Sequence, residues 1–178
     1  MNPWAAIQVR AAELRLPFLL AGGHAVIVHG YARTTFDLDL IILRSDQARW
    51  RELAHDLGYR FHHEGPTFLQ FDPPQSDLLP LDLMLVNQAT FDKLMAEAAP
   101  GPRGAESVKV VSVLHLLALK AHAIKHGHKT RVVKDADDII HLIQVNALKV
   151  EDPAIRDLFL HYGTEELYEK IRRVCGGT

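Results

Sequence analysis

The pattern of hydrophobic and polar positions changes along the chain. Up to about residue 111, glycine, proline and helix-capping residues separate short apolar runs, whereas after residue 112 the apolar positions follow long helical stretches. Strands mixed with helices, followed by helices alone, predict an α+β fold with a mixed sheet and helices packed around it. We place the core at residues 1–105 and a helical C-terminal part, packed on that core, at residues 106–178.

Apolar positions spaced three and four residues apart, together with capping residues, predict the helices. The first helix is predicted from the Asn2-Pro3 pair to about Leu16, where Pro17 ends it. The other predicted helices are 24–30 closed by Gly30, 46–57 after Ser45, 88–98 after Asn87, 113–126 after Ser112, 134–147, and two that begin after Asp152 and Thr164.

Short runs rich in leucine, isoleucine, valine and phenylalanine predict the strands. We expect a turn at Glu64-Gly65-Pro66 to join two of them, and the only Pro/Gly cluster, "APGPRG" at 99–104, to precede the last. The predicted strands are residues 18–21, 36–43, 59–63, 67–72, 79–86 and 108–111.

The composition is that of an ordinary globular protein. Apolar residues make up 48% and charged residues 24%, which is enough for a sizeable core. A net charge of -2 means that any affinity for nucleic acid must come from a local patch. The single cysteine, Cys175, excludes an internal disulfide framework, and charged residues interrupt the N-terminal apolar segment. We therefore expect a soluble, cytoplasmic protein without membrane contact.

Three aspartates stand inside otherwise apolar predicted strands. Side chains alternate along a strand, so Asp37 and Asp39 share one face, and Asp82 repeats the pattern in "LPLDLMLV". If the two strands pair side by side, the three carboxylates converge, and carboxylate oxygens without His or Cys favour Mg²⁺ or Mn²⁺. The alternatives are that the acids form the solvated face of an edge strand, or that Asp37 pairs with Arg33.

A glycine pair precedes these acids. Gly22-Gly23 follows a predicted strand and precedes a predicted helix, where backbone N–H groups can approach a phosphate. Thirteen residues separate Gly23 from Asp37, which leaves room for one short helix. That spacing predicts that the glycine turn and the strand acids lie at the same edge of the sheet, although a Gly-Gly pair also forms ordinary tight turns.

The segment "GGHAVIVHGYARTTFDLDLII" resembles the signature of the nucleotidyltransferase superfamily, in particular that of the small AbiEii-type enzymes of toxin–antitoxin and phage-defence loci. In that signature a Gly-Gly or Gly-Ser pair precedes Asp-x-Asp, and a third acid follows on a later strand. The resemblance extends over roughly residues 17–145. Its remaining matching positions are Arg33, Thr34 and Thr35 before the acids, and Lys120, Lys134, Asp135 and Asp138 after them.

The resemblance implies a role for each matching residue. Asp37, Asp39 and Asp82 would hold the metal, and Asp82 would also orient or deprotonate the attacking hydroxyl. Lys120 would touch phosphate, as part of a catalytic set with the three acids. The family often has serine where this chain has Gly23, so His24, Arg33 or Thr34 would replace that hydroxyl. The implied nucleotide-binding residues are Gly22, Gly23, His24, Arg33, Thr34, Lys120, Lys134 and Asp135.

Basic residues and histidines cluster between Lys109 and Lys134. Six lysines and arginines and no acid occur there, which predicts a local positive surface for a triphosphate or an RNA end, or simply a solvated loop. His122 and His126 have the helical spacing of a metal pair, but surface histidines are the better interpretation. For Asp135, Asp137 and Asp138, the helix dipole alone explains acids in a first turn. The alternative is that they are partners for Lys120 or Lys134.

Together these features indicate an enzyme that moves a nucleoside monophosphate from an NTP to a hydroxyl, with Mg²⁺ or Mn²⁺ as cofactor. The acceptor would be RNA such as tRNA, or a protein, and the resemblance implies a cognate toxin or antitoxin partner. One alternative is a catalytically silent protein that binds an NTP or a partner with the same fold. Another is a nucleotidyltransferase that modifies an aminoglycoside-like small molecule, whose pocket should be acidic.

Overall fold

The computed structural model describes residues 5–101, 108–127 and 132–176. In these ranges the helices are α1 (Ala5–Glu13), α2 (Gly22–Val28), α3 (Gln47–Asp56), α4 (Gln88–Ala96), α5 (Val113–His126), α6 (Val132–Val145), α7 (Pro153–Tyr162) and α8 (Glu165–Cys175). The strands are β1 (Phe18–Leu20), β2 (Leu38–Leu43), β3 (Arg60–Gly65), β4 (Phe68–Asp72), β5 (Leu81–Val86), β6 (Ala99–Pro100) and β7 (Lys109–Val110).

All of these strands form one mixed sheet, in the order β3-β4-β5-β2-β1-β7-β6. Strand β2 runs parallel to β5 and antiparallel to β1, so it lies in the interior of the sheet. The mixed sheet with surrounding helices confirms the predicted α+β class. It also removes one alternative, because β2 is not the edge strand on which a solvated acidic face would be ordinary.

Apolar side chains on both faces of β2 explain its central position. Leu38, Leu40, Ile41 and Ile42 are fully buried, and burial of such a side chain contributes about 1.5–3 kcal/mol. Asp39 is the half-buried exception in this strand. An ionisable group in such an apolar strand is costly without a partner, so its neighbours decide what it does.

The described chain divides into two compact units. The first unit takes its residues from 1–25 and 33–111 and contains the sheet, whereas the second takes its residues from 26–32 and 112–178. In the second unit, Asn146 Nδ2 donates a hydrogen bond to the carbonyl oxygen of His29 (3.1 Å). Tyr31 stacks on His141 with ring centroids 4.0 Å apart. These contacts explain why residues 26–32 group with α6.

Four of the predicted helix caps are confirmed by side-chain hydrogen bonds. Asn87, Ser112, Asp152 and Thr164 each accept a bond from a backbone N–H of the helix that follows. Such a bond satisfies one of the N–H groups that a helix start leaves unpaired. The cap predicted at Asn2-Pro3 lies outside the described residues.

Several predicted boundaries are wrong. Ser45 does not cap α3; it lies in a 3₁₀ turn at Arg44–Asp46, and Asp46 is the residue before the helix. Strand β3 continues through Gly65, so the turn begins at Pro66, two residues later than predicted. Helix α6 begins at Val132, which places Asp135 alone among the acids of its first turn.

The sequence also missed β6, a two-residue strand formed by the start of the Pro/Gly cluster, whose later residues lie outside the described ranges. In the part of the chain that the structure describes, no helix is both long and apolar enough to cross a membrane.

Candidate active site

Three carboxylates meet where β2 and β5 begin. The parallel pairing of these strands sets Asp39 directly beside Asp82. Asp37 lies just before β2, two residues from Asp39. One carboxylate oxygen from each of the three lies within 4.8 Å of the others, and all three residues are half-buried. The side-by-side pairing on which the predicted convergence depended is therefore present.

Neutral side chains hold two of these carboxylates. Thr35 Oγ1 donates to Asp37 Oδ1 at 2.9 Å. Gln70 lies opposite Asp82 on β4, and its Nε2 donates to both oxygens of Asp82 at 3.2 and 3.1 Å. Both donors are uncharged, so these hydrogen bonds fix the direction of the two carboxylates without adding a positive charge to the cluster.

The donor set fits a divalent cation. Three carboxylates this close repel one another, and a hard cation that accepts oxygen ligands relieves the repulsion. Among the described residues, these acids form the single group of three or more His, Cys, Asp or Glu side chains within metal-binding range. Mg²⁺ and Mn²⁺ both suit oxygen-only ligands.

Gly22 lies against the acid cluster and must be glycine for two reasons. It is the first residue of α2 and has a φ of 55°, in the left-handed region that favours glycine. A Cβ at this position would overlap the carboxylate oxygen Oδ2 of Asp39. The glycine turn and the strand acid are thus in direct contact, as the spacing of the two motifs predicts.

Gly23 leaves room for a hydroxyl that comes from elsewhere in the chain. A Cβ at Gly23 would overlap Thr35 Oγ1 and would lie 2.9 Å from the Arg33 Nη2. The predicted replacement, Thr34, is exposed, and its carbonyl oxygen accepts a hydrogen bond from Arg33 (2.8 Å). Thr35, rather than Thr34, therefore places a hydroxyl beside the second glycine.

The Gly23→Ser substitution is expected to destabilise the protein by about 1–3 kcal/mol, since the added side chain overpacks against Thr35. Adding Thr35→Ala should recover much of that loss, because the new hydroxyl then occupies the vacated space. Urea unfolding of the two single variants and the double variant measures the coupling between the positions. Strictly additive losses would show that the two side chains do not compete for one space.

Comparisons with known proteins extend these observations. No family model and no curated protein matches the chain. A solution structure of the antibiotic-resistance factor ANT(2'')-Ia matches with a TM-score of 0.68 at 16% identity, over 97% of this chain and 94% of that chain. The lincomycin-bound crystal structure of the lincosamide antibiotic adenylyltransferase LnuA matches with a TM-score of 0.60 at 16% identity, over 81% and 96%.

A third match is an antigenic nucleotidyltransferase-like protein from Paracoccidioides brasiliensis, with a TM-score of 0.55 at 14% identity, over 95% of this chain and 90% of that chain. The chain has a nucleotidyltransferase-like fold. At these identities the likeness establishes the fold and leaves the activity to be argued from the site. The finer resemblance to AbiEii-type enzymes stays a prediction.

Burial sets the protonation of His24 in this nucleotidyltransferase-like fold. Desolvation lowers the pKa of His24 below its usual value; the negative charge of Asp37 opposes this shift, and the positive charge of Arg33 adds to it. The side chain follows Gly23 in α2 and is half-buried. His24 therefore enters the site as a neutral imidazole at neutral pH.

This lowered pKa predicts a pH dependence of stability. Below about pH 6.5, the ordinary histidine value, the unfolded chain binds a proton at His24 that the folded protein takes up only at lower pH. The free energy of unfolding should therefore fall as the pH drops, and it should fall less in His24→Gln. Urea unfolding of both proteins at pH 7.5 and pH 5.5 measures the difference. Equal losses in the two proteins would contradict a lowered pKa.

Lys120, in the second unit, is buried in an ion-pair cluster. Its Nζ lies 2.9 Å from Asp135 Oδ1 and 2.6 Å from Asp138 Oδ2, and all three side chains are buried. This cluster joins α5 to α6. Lys134, which the resemblance also assigned to nucleotide binding, is exposed. The sequence matched these residues but could not show that Lys120 and the two aspartates pair with one another.

The predicted positive surface is smaller than the count of basic residues suggests. Lys120 contributes nothing to a surface because it is buried, and Lys129 and Arg131 lie outside the described residues. Lys109 is exposed on β7, and Lys125 is exposed near the end of α5. The rings of His122 and His126 lie 4.5 Å apart on that helix, and both residues are exposed.

Proposed function

We propose that the protein transfers a nucleoside monophosphate from an NTP to a hydroxyl group. The observation that carries the proposal is the convergence of Asp37, Asp39 and Asp82 against the Gly22 turn. The nucleotidyltransferase-like fold supports it, since the structures that match include an enzyme named as an adenylyltransferase. In this reaction the acceptor oxygen bonds to the α-phosphorus as the bond from that phosphorus to pyrophosphate breaks.

The acids and their partners are assigned distinct tasks. Asp37, Asp39 and Asp82 would hold Mg²⁺ or Mn²⁺, which when bound supplies positive charge for the phosphate oxygens and the leaving pyrophosphate. Asp82 takes the proton of the acceptor hydroxyl. Its two hydrogen bonds from Gln70 fix the direction in which the carboxylate points. Thr35 keeps Asp37 oriented in the same way.

The nucleotide is assigned to the glycine side of the cluster. We assign to the triphosphate oxygens the backbone N–H groups of Gly22 and Gly23, the guanidinium of Arg33 and the imidazole of His24. The Thr35 hydroxyl lies beside Gly23 and donates a hydrogen bond to Asp37, so it is assigned to the metal ligand and not to the phosphate. Thr34 is kept as a backbone contributor, since its carbonyl fixes Arg33.

Three residues of the second unit remain assigned to the nucleotide by resemblance alone. Lys134 is exposed, which is compatible with a phosphate contact. Lys120 and Asp135 pair with each other, and their contribution would be to hold α5 and α6 together. The Lys120→Met substitution tests whether Lys120 also contacts phosphate.

A transfer assay tests the proposal. The protein is incubated with each α-³²P-labelled NTP, Mg²⁺ or Mn²⁺, and a panel of RNA, protein and small-molecule alcohols. We expect label to move to one acceptor class, with equimolar pyrophosphate released, and both signals to vanish with EDTA. Pyrophosphate release in the absence of any labelled acceptor would show hydrolysis rather than transfer and would contradict the proposal.

The second candidate is a catalytically silent protein that binds nucleotide with the same fold. The donors around Gly23 and Arg33 suit phosphate whether or not chemistry follows. In that case an NTP raises the melting temperature equally in the wild-type protein and in the Asp37→Ala/Asp39→Ala variant. A catalytic site that uses a metal requires the shift to shrink in the variant, because Mg²⁺·NTP loses its protein ligands.

The toxin–antitoxin setting is a further proposal that follows from the AbiEii-type resemblance at Arg33, Thr34 and Thr35. If the protein is a toxin, its expression should arrest growth and the Asp37→Ala/Asp39→Ala variant should not. If it is an antitoxin that acts by modification, the same variant should fail to protect against the cognate toxin. Arrest that persists in the variant would exclude a toxic transfer reaction.

A further inference from the structure

A cavity of about 300 Å³ lies beside Asp82, and Gln70 of β4 forms part of its wall. The cavity is shared by the start of β5, the β3–β4 hairpin and the segment before β2. Its size is at the lower end of the range for small-molecule sites. Asp37 and Asp82 line it, so it reaches the proposed reaction centre directly.

The charges around this cavity are negative. The carboxylates of Asp37, Asp72 and Asp82 line it, and no lysine or arginine among the residues that the structure describes does. His62 is the other titratable group in the wall, with Nδ1 3.5 Å from Asp72 Oδ2. Arg60 pairs with Asp72 in strand register but does not line the cavity. Asp72 would repel a phosphodiester backbone and attract an ammonium group.

The aromatic ring of Phe36 lines the same cavity. Phe36 is 74% exposed, although it directly precedes the proposed metal ligand Asp37. A large apolar side chain left open beside carboxylates offers a flat surface to a ligand ring, and its π face attracts an ammonium group. Carboxylates together with an open aromatic face suit an alcohol that carries a protonated amine.

We propose that this cavity is the acceptor subsite and that it takes a small amino-alcohol. The proposal rests on the proposed transfer reaction and names its acceptor class. Asp72 binds the ammonium group, Phe36 packs against the acceptor ring, and the hydroxyl points at Asp82, which Gln70 holds in place. The acceptor oxygen forms a bond to the α-phosphorus, pyrophosphate leaves, and the hydroxyl proton passes to Asp82. RNA, favoured by the basic residue count, is the competing outcome.

Equilibrium binding tests the subsite independently of transfer. Tobramycin and lincomycin serve as amine-bearing alcohols, sucrose as a neutral polyol, and an oligoribonucleotide with a free 3′-hydroxyl as the competitor, all titrated calorimetrically in the presence of Mg²⁺. We expect at least one amine to bind, sucrose not to bind, and Asp72→Asn to weaken the amine about tenfold, as the loss of a charge-assisted hydrogen bond implies. Phe36→Ala should also weaken amine binding, by a smaller factor.

The matched control is Asp77→Asn, which removes an exposed carboxylate from the loop after β4 that does not line the cavity. It should leave amine binding unchanged. Failure of both amines to bind, or equal weakening by Asp72→Asn and Asp77→Asn, would overturn the subsite. Preferential binding of the oligoribonucleotide would overturn the acceptor class. Binding that depends on Asp72 without any NMP transfer would leave the subsite intact and defeat the proposed function instead.

Discussion

The Asp39→Asn substitution should lower the rate of NMP transfer by at least about 100-fold, the lower end of what one transition-state-stabilising group contributes. Asp39 is the residue that links the parts of the site: it lies beside Asp82 in strand register and touches the Gly22 turn. Asparagine keeps the shape of the side chain and removes its charge. The loss of activity therefore reports on charge rather than on packing.

The same substitution should not lower the melting temperature in metal-free buffer. Three carboxylates within 4.8 Å repel one another, so removal of one charge lowers the electrostatic repulsion in the folded protein. Mg²⁺ should raise the melting temperature of the wild-type protein, by linkage, and have little effect on the variant. Asp77→Asn is the control, and it should match the wild-type protein in both measurements. An Asp39→Asn variant that unfolds more easily and still transfers label would contradict a role for this charge.

The Lys120→Met substitution should reduce the free energy of unfolding by about 3–5 kcal/mol, because it leaves two buried carboxylates without their cation. Asp135 and Asp138 both lie within 2.9 Å of the lysine ammonium, and the three side chains are shielded from water. Methionine preserves most of the volume, so the loss measures the ion pairs. Urea unfolding provides the value.

Lys125→Met is the matched control for that experiment, since Lys125 is exposed on the same helix. It should change stability by no more than about 0.5 kcal/mol. The triple variant Lys120→Met/Asp135→Asn/Asp138→Asn should recover part of the loss, because no buried charge remains. If Lys120→Met is as stable as Lys125→Met but loses NTP binding, the lysine acts on phosphate rather than between helices.

The sequence predicted the features of the site that depend on local pattern. Asp39 and Asp82 each stand in an apolar strand, and the period of two in those strands fixed which face they occupy. The caps at Asn87 and Thr164 were predictable because a capping bond spans only three residues. Gly22 was predictable because its spacing from the acids leaves room for one short helix.

Features that depend on register or on three-dimensional neighbours were not predicted. Gln70 reaches Asp82 only because β4 pairs with β5 in one particular register, and no single sequence shows that register. Thr35 rather than Thr34 lies beside Gly23, a placement set by the irregular segment before β2 that the sequence does not specify. The sequence left open whether the acids near Asp135 pair with Lys120, and only the packing of α5 on α6 selects Asp135 and Asp138 as its partners.

Manganese in crystals tests the central claim most directly. Crystals of the wild-type protein soaked with Mn²⁺ and a non-hydrolysable NTP analogue should show an anomalous peak within coordination distance of the carboxylates of Asp37 and Asp39, with the triphosphate on the side of Gly22 and Gly23. Asp39→Asn crystals under the same soak should lose that peak. A bound nucleotide with no manganese at these carboxylates, or manganese held elsewhere, would contradict a metal-centred transfer site.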